Sequence, residues 1–386
     1  MRIRDIQHPP WWYTFRYELL KIADKNSPCY VYSKSCLHEK AVSLLSCQAV
    51  DRVFYSVKAN SNKNILQQFY QEGIGFECVS LSEVYFILKL FPDILKNKIL
   101  FTPNFAPKKE YHQALALDIL ITIDNLYILE HWAELFFQKN IFIRVDLGEG
   151  HGHHKYVVTG GDESKFGIPI SSLAQVSEIV NRHDIRVVGL HSHAGSGILN
   201  PLHWEKVFRS LTNCLQLFPH VTILDVGGGL GITERQDQTP LSLDKFNQSL
   251  VEVKKEWPKL QIWIEPGRYL VAESGVLLAK VTQTKVKGSI KFVGIETGMN
   301  SFLRPMLYDS YHEIVNLTRL DEPIVEPMNI VGPICESGDT LGRLQPMPIC
   351  QEDDVILIEN VGAYGYSMSS NYNLREPAQE YYAAEC

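Results

Sequence analysis

No run of about 18 apolar residues occurs anywhere in the 386-residue sequence, so no membrane-spanning helix is expected. The opening MRIRDIQHPPWWYTFRYELL likewise lacks the uninterrupted apolar core of a secretion signal. The eight cysteines (Cys29, Cys36, Cys47, Cys78, Cys214, Cys335, Cys350, Cys386) include no CxxC pair and follow no disulfide or zinc rhythm. Reduced thiols in a cytoplasmic protein fit that pattern. Excess positive charge is missing too. With 37 Lys+Arg against 44 Asp+Glu the net charge is −7, which argues against nucleic acid or an anionic membrane as a partner. Low-complexity tracts and internal repeats beyond the alternation described next are also absent.

What the sequence does contain is rhythm. Eight short apolar runs recur along the first two thirds: 53–57, 75–79, 99–102, 119–123, 141–145, 187–191, 221–226 and 260–264. They are rich in Val, Ile and Phe, as strands buried on both faces should be. Segments with helical spacing lie between them, such as Leu66, Phe69 and Tyr70, or Val84, Ile87, Leu88 and Phe91. Leu173, Val176, Ile179 and Val180 repeat the pattern. Eight strand–helix repeats predict an α/β protein built on a (β/α)8 TIM barrel. After about residue 275 the pattern turns β-like and is punctuated by Pro323, Pro327, Gly332, Pro333, Pro346 and Pro348. The expected organisation is a barrel over 33–274 and a C-terminal β domain, sandwich- or barrel-like, over 275–386. Residues 1–32, with the lone strand Cys29–Tyr32, are expected to join the β domain.

Polar residues gather where the barrel strands end, which is the catalytic face of this architecture. Alternation places Phe54, Ser56 and Lys58 on one face, so Lys58 points into the barrel mouth, where a lysine can act as a nucleophile. The sixth run ends in GLHSHAGSG, with His193 to stack on a flat ring and Ser196 to donate to a phosphate. The seventh ends in DVGGGLG, whose Gly228 suits a backbone cradle for phosphate. The eighth ends in Glu265-Pro266-Gly267-Arg268, a carboxylate for a protonated heteroaromatic nitrogen beside an arginine for an anion. Each feature alone reads as well as a surface lysine, a turn or an ion pair. Together they are what pyridoxal 5′-phosphate (PLP) requires. The stretch His151-Gly152-His153-His154 has no partner set for a metal and reads as a loop, so no metal is expected. The pair Trp11-Trp12 reads as packing or interface.

Eight motifs carry a resemblance to a known family: YSVKAN (55–60), SKFGI (164–168), GLHSHAGSG (189–197), DVGGGLG (225–231), EPGR (265–268), GMNSFLRPMLYDSYH (298–312), GPICESGD (332–339) and GAYGYSMSSNYN (362–373). The chain resembles the fold type III PLP-dependent decarboxylases of the ornithine, diaminopimelate and arginine group, and within it the diaminopimelate branch. That resemblance implies that Lys58 carries the cofactor, that His193 stacks on its ring and that Glu265 meets its pyridine nitrogen. It further implies that Ser196, Gly228, Gly267, Arg268 and Tyr364 hold the phosphate end. For the substrate meso-diaminopimelate it implies Arg268, Arg304 and Tyr308 on the distal carboxylate, Glu336 on the distal ammonium, and Tyr364 close by. Cys335 would be the acid that returns a proton to the α-carbon. Cys335 and Glu336 would serve the partner's barrel in a homodimer with shared active sites.

The chain departs from the family after NYN, where LREPAQEYYAAEC replaces a longer Pro-rich and β continuation, and no kinase-like segment is present. Three alternatives stay open at this level: a sister decarboxylase for ornithine, arginine, carboxynorspermidine or a carrier-bound amino acid; an alanine-racemase-type enzyme; and a non-catalytic PLP-binding relative. GMNSFLRPMLY argues against the first, CESGD against the second, and the presence of Lys58 and Cys335 against the third.

Overall fold

The computed structural model describes residues 9–148, 151–152, 161, 164–235 and 237–383. By its internal contacts the chain divides into two compact units. One comprises Ala41–Ile232 and Thr239–Tyr269, and the other the chain up to Lys40, Thr233–Gln238 and everything from Leu270 on.

The first unit is the barrel. Its eight strands are Arg52–Ser56, Gly75–Cys78, Ile99–Phe101, Leu120–Ile123, Asn140–Asp146, Arg186–His191, Ile223–Asp225 and Gln261–Ile264. All pair in parallel with their neighbours in sequence, and the ring closes where Trp263 and Ile264 lie opposite Arg52 and Val53. All eight expected runs are strands of this ring, so the TIM barrel is present as the periodicity predicts. Side chains from four strands around the ring meet inside it: Phe54, Leu100, Phe142 and Trp263 form one buried cluster, with Trp263 5.1 Å from Phe54 on the adjacent strand and 5.3 Å from Phe142 across the barrel between ring centroids. Burying side chains of this size contributes about 1.5–3 kcal/mol each.

The outer helices start where the sequence offers a cap. Asn62, Ser80, Asn125 and Ser242 accept backbone N–H bonds from the first turns of Lys63–Gln71, Leu81–Leu90, Leu126–Trp132 and Leu243–Glu256. Ile65, Leu66 and Phe69 of the first of these are buried, as are Leu173, Val176, Ile179 and Val180 of Leu173–Arg182.

The second unit is a mixed sheet. Its strands run in the order Ile314–Asn316, Val355–Ile358, Gly275–Lys287, Ile290–Ile295, Glu326–Val331 and Thr340–Met347. Cys29–Ser33 pairs antiparallel with the long central strand and parallel with Gln379–Ala383. Helix Arg16–Asn26 packs Leu19 and Ala23 on this sheet, joined by Trp12, so this tryptophan is a core residue. Two of the prolines that read as punctuation, Pro327 and Pro346, lie inside strands instead. They stand opposite each other, so their two missing N–H groups fall at one rung of the ladder.

Candidate active site

The C-terminal end of the barrel collects the expected cofactor residues. Lys58 sits in the short turn Val57–Ala59 that follows the first strand, its Nζ donating to Glu77 Oε2 and, at 3.4 Å, to Ser56 Oγ. Glu77 is buried on the second strand. Ser56 Oγ in turn donates to the Glu265 carbonyl oxygen at 3.0 Å, and the Glu265 N–H donates to the Gly227 carbonyl at 3.0 Å. Strand ends one, seven and eight are therefore laced together around the lysine.

His193 lies in the loop after strand six and is only partly exposed. Its Nδ1 accepts the Gly228 N–H at 3.2 Å, which leaves Nε2 to carry the ring proton. Burial, with Arg144 and Lys58 nearby, pulls its pKa well below the usual value, so the imidazole is neutral. The Gly228 amide, expected to face a phosphate, is thus engaged by His193. The Gly228 carbonyl accepts from Trp204 Nε1 at 3.0 Å. A side chain at position 228 would collide with the Glu265 carbonyl oxygen, so only glycine lets these strand ends approach so closely. Arg268 Nε donates to Ser196 Oγ at 3.2 Å, bringing a guanidinium and a hydroxyl together; Gly267 is buried beside them.

Glu265 is buried, with Oε2 3.0 Å from His191 Nε2 and Oε1 without a hydrogen-bond partner among the described residues. Burial works to raise its pKa, but His191 and then Lys58 outweigh it and hold the carboxylate below its ordinary range. Arg144, on strand five, is a buried guanidinium 4.5 Å from the Phe166 ring. Motif reading passed over Glu77, Arg144 and His191. A charged residue inside an apolar run (Gly-Phe-Glu-Cys, Ile-Arg-Val) was the available signal.

The remaining expected residues belong to the second unit. Buried Arg304 opens the short helix Arg304–Tyr308, its guanidinium carbon 5.6 Å from the Tyr308 ring and 5.9 Å from the Tyr364 ring. These three are one cluster. Cys335 and Glu336 are exposed on a separate loop. Asp339 pins that loop by accepting from Met299 N–H at 2.6 Å and Ile334 N–H at 2.7 Å, while Asn373 Oδ1 accepts the Cys335 N–H at 2.7 Å. His151 and Gly152 pair with Gly195 and Ser196 as a two-residue strand; His153 and His154 lie outside the described residues.

The barrel rim suits PLP on its own terms. It holds an amine, a neutral imidazole and a hydroxyl–guanidinium pair for a phosphate. It also holds a buried carboxylate with one oxygen to spare for a ring N–H.

The profile described as "Pyridoxal-dependent decarboxylase, pyridoxal binding domain" matches residues 36–272. The diaminopimelate decarboxylase of Campylobacter jejuni is 36% identical over 370 residues, covering 92% of this chain and 90% of the relative. That of Buchnera aphidicola subsp. Schizaphis graminum is 34% identical over 383 residues, covering 94% and 91%. A crystal structure of diaminopimelate decarboxylase from Helicobacter pylori complexed with L-lysine is similar at a TM-score of 0.87 and 30% identity, covering 95% of this chain and 94% of that one. A rim chemically fitted to PLP thus stands in a chain matched almost end to end, and the chain belongs to the pyridoxal-dependent decarboxylases, in the diaminopimelate decarboxylase family.

Proposed function

We infer that this protein is a PLP-dependent carboxy-lyase that converts meso-2,6-diaminopimelate to L-lysine and carbon dioxide, the last step of lysine biosynthesis. The observation that carries the reading is the end-to-end similarity to diaminopimelate decarboxylases. When bound, PLP supplies the sink for the electron pair left on the α-carbon as carbon dioxide departs.

The chain's residues take the following proposed roles. Lys58 anchors the cofactor, with Glu77 as the partner that holds its ammonium before loading. Glu265, kept anionic, accepts the ring N–H, and neutral His193 faces the ring without adding positive charge that would repel it. Ser196 and Arg268 take the phosphate, supported by the glycines at 228 and 267 and by Tyr364. For the substrate, Arg304 and Tyr308, with Arg268, take the distal carboxylate; a planar guanidinium grips it by two parallel bonds. Glu336 takes the distal ammonium. Ornithine and arginine lack that carboxylate and would leave Arg304 without its ligand.

Cys335 delivers the proton to the α-carbon. Its exposure together with that of Glu336 supports a homodimer in which this loop serves the partner's site. The working compartment is the cytoplasm, where thiols stay reduced. Among the described residues no helix is long and apolar enough to cross a membrane.

The test is carbon dioxide release by the PLP-loaded protein on meso-diaminopimelate, its LL isomer, ornithine, arginine and lysine. Release from the meso isomer alone, with L-lysine formed, is expected. Release from ornithine or arginine instead would overturn the substrate. In the same assay Cys335→Ala should slow turnover by about 10²-fold with PLP still bound; wild-type turnover would remove its role as the acid.

A further inference from the structure

Two more ionisable side chains are sealed in behind Glu265. His191 closes strand six and Asp225 closes strand seven, and their relative exposures are 1% and 0%. One ligand-type atom from each of His191, Asp225 and Glu265 lies within 4.8 Å of the others. That composition would suit a cation, but one polar atom of each residue is already engaged: His191 Nε2 and Glu265 Oε2 lie 3.0 Å apart, and Asp225 Oδ1 accepts the Gly227 N–H at 2.9 Å. Burial and the neighbouring Glu265 push the Asp225 carboxyl well above its ordinary range, so charge on it, and with it a cation's attraction, is disfavoured.

An ionised carboxylate can only accept, so His191 Nε2 is the donor of that 3.0 Å bond. The bond makes the two oxygens of Glu265 unequal. Oε2 is tied to the imidazole, and Oε1, equally buried, has no hydrogen-bond partner among the described residues. A glutamate has three side-chain torsions and would otherwise be free to rotate its carboxylate.

We propose that His191 is a positioning residue for the decarboxylation: by donating to Oε2 it fixes the carboxylate plane of Glu265 and reserves Oε1 for the ring nitrogen of the cofactor. This rests on the PLP reading of the site. His191 touches neither substrate nor cofactor in this scheme; it acts through Glu265 alone. A buried donor to a charged acceptor is the arrangement in which a single hydrogen bond matters most.

The experiment compares His191→Gln with His191→Asn in the holoenzyme. The glutamine amide reaches the place of Nε2, whereas the asparagine amide stops near the place of Nδ1. The readout is the nitrogen-15 shift of PLP labelled at its ring nitrogen, which reports whether that nitrogen is protonated, alongside kcat and KM. Wild type and His191→Gln are expected to show a protonated ring nitrogen, with kcat within about fivefold of each other. His191→Asn is expected to lose that signal and about tenfold or more in kcat, with KM within about threefold. A wild-type signal and kcat in folded His191→Asn would overturn the proposal. If that variant does not fold, His191→Gln decides alone: a protonated signal supports the role and its loss in a folded protein overturns it. A wild-type protein that binds no labelled PLP fails differently, overturning the cofactor reading and this inference with it.

Discussion

The two ends of the barrel interior are built from the same strands and do opposite things. Toward the N-terminal end the lining is Phe54, Phe142, Ile223 and Trp263, packed as one apolar plug. Two residues further along each of those strands, on the same face by alternation, stand Ser56, Arg144, Asp225 and Glu265. One step of about 7 Å along each strand takes the interior from hydrocarbon to a cluster of polar and ionisable groups. The plug lets the rim exist. Buried charges are costly unless they are paired, and a rigid floor fixes the partners that pair them, Lys58 with Glu77 and Glu265 with His191.

That contrast can be broken from either side. The largest effect is expected at the rim: Lys58→Ala should abolish the visible absorbance of lysine-bound PLP and lower turnover by about 10³-fold or more, with circular dichroism unchanged. An unchanged spectrum would remove Lys58 as the anchor. A smaller effect lies in stability against pH. Burial pushes the Glu83 carboxyl up from 4.5 to about 7, against its bond from the Val79 N–H. The folded chain therefore holds a proton that the unfolded chain has released, and stability falls as pH rises between those values. Glu83→Gln should flatten that fall, gaining on the order of 1 kcal/mol at about pH 8 relative to about pH 5 in denaturant titrations. The same slope in both proteins would contradict the assignment. The smallest effect is expected at Asp225→Asn, because burial and the nearby Glu265 already disfavour charge on that carboxyl and the amide oxygen can still accept from Gly227. Its turnover should drop by no more than about threefold; a hundredfold loss would mean that Asp225 carries charge.

Much of the barrel was legible because its signal is local. Eight Val/Ile/Phe runs, each ended by glycine or polar residues, can be counted in the sequence, and all eight are strands. The placement of Lys58, His193, Glu265 and Arg268 at the barrel's C-terminal rim was readable because each follows the end of a countable strand. Glu77, Arg144 and His191 were not, because their meaning depends on which strands become neighbours. His191 is 74 residues from Glu265 in sequence, and only the closed ring brings the two to hydrogen-bonding distance. The β unit was harder for the same reason: Pro327 and Pro346 signal a break when each is read alone, and only their register shows that they share one rung.

The central claim is tested most directly by a crossed pair on one strand, Glu265→Gln and Trp263→Ala, each measured for both kcat and thermal stability. The account predicts that Glu265→Gln loses about 10²-fold in kcat with little change in Tm. It predicts that Trp263→Ala loses about 3–5 kcal/mol of stability while its folded fraction keeps kcat within about threefold. Parallel losses of activity and stability in both variants would contradict the division of the barrel into a structural floor and a chemical rim.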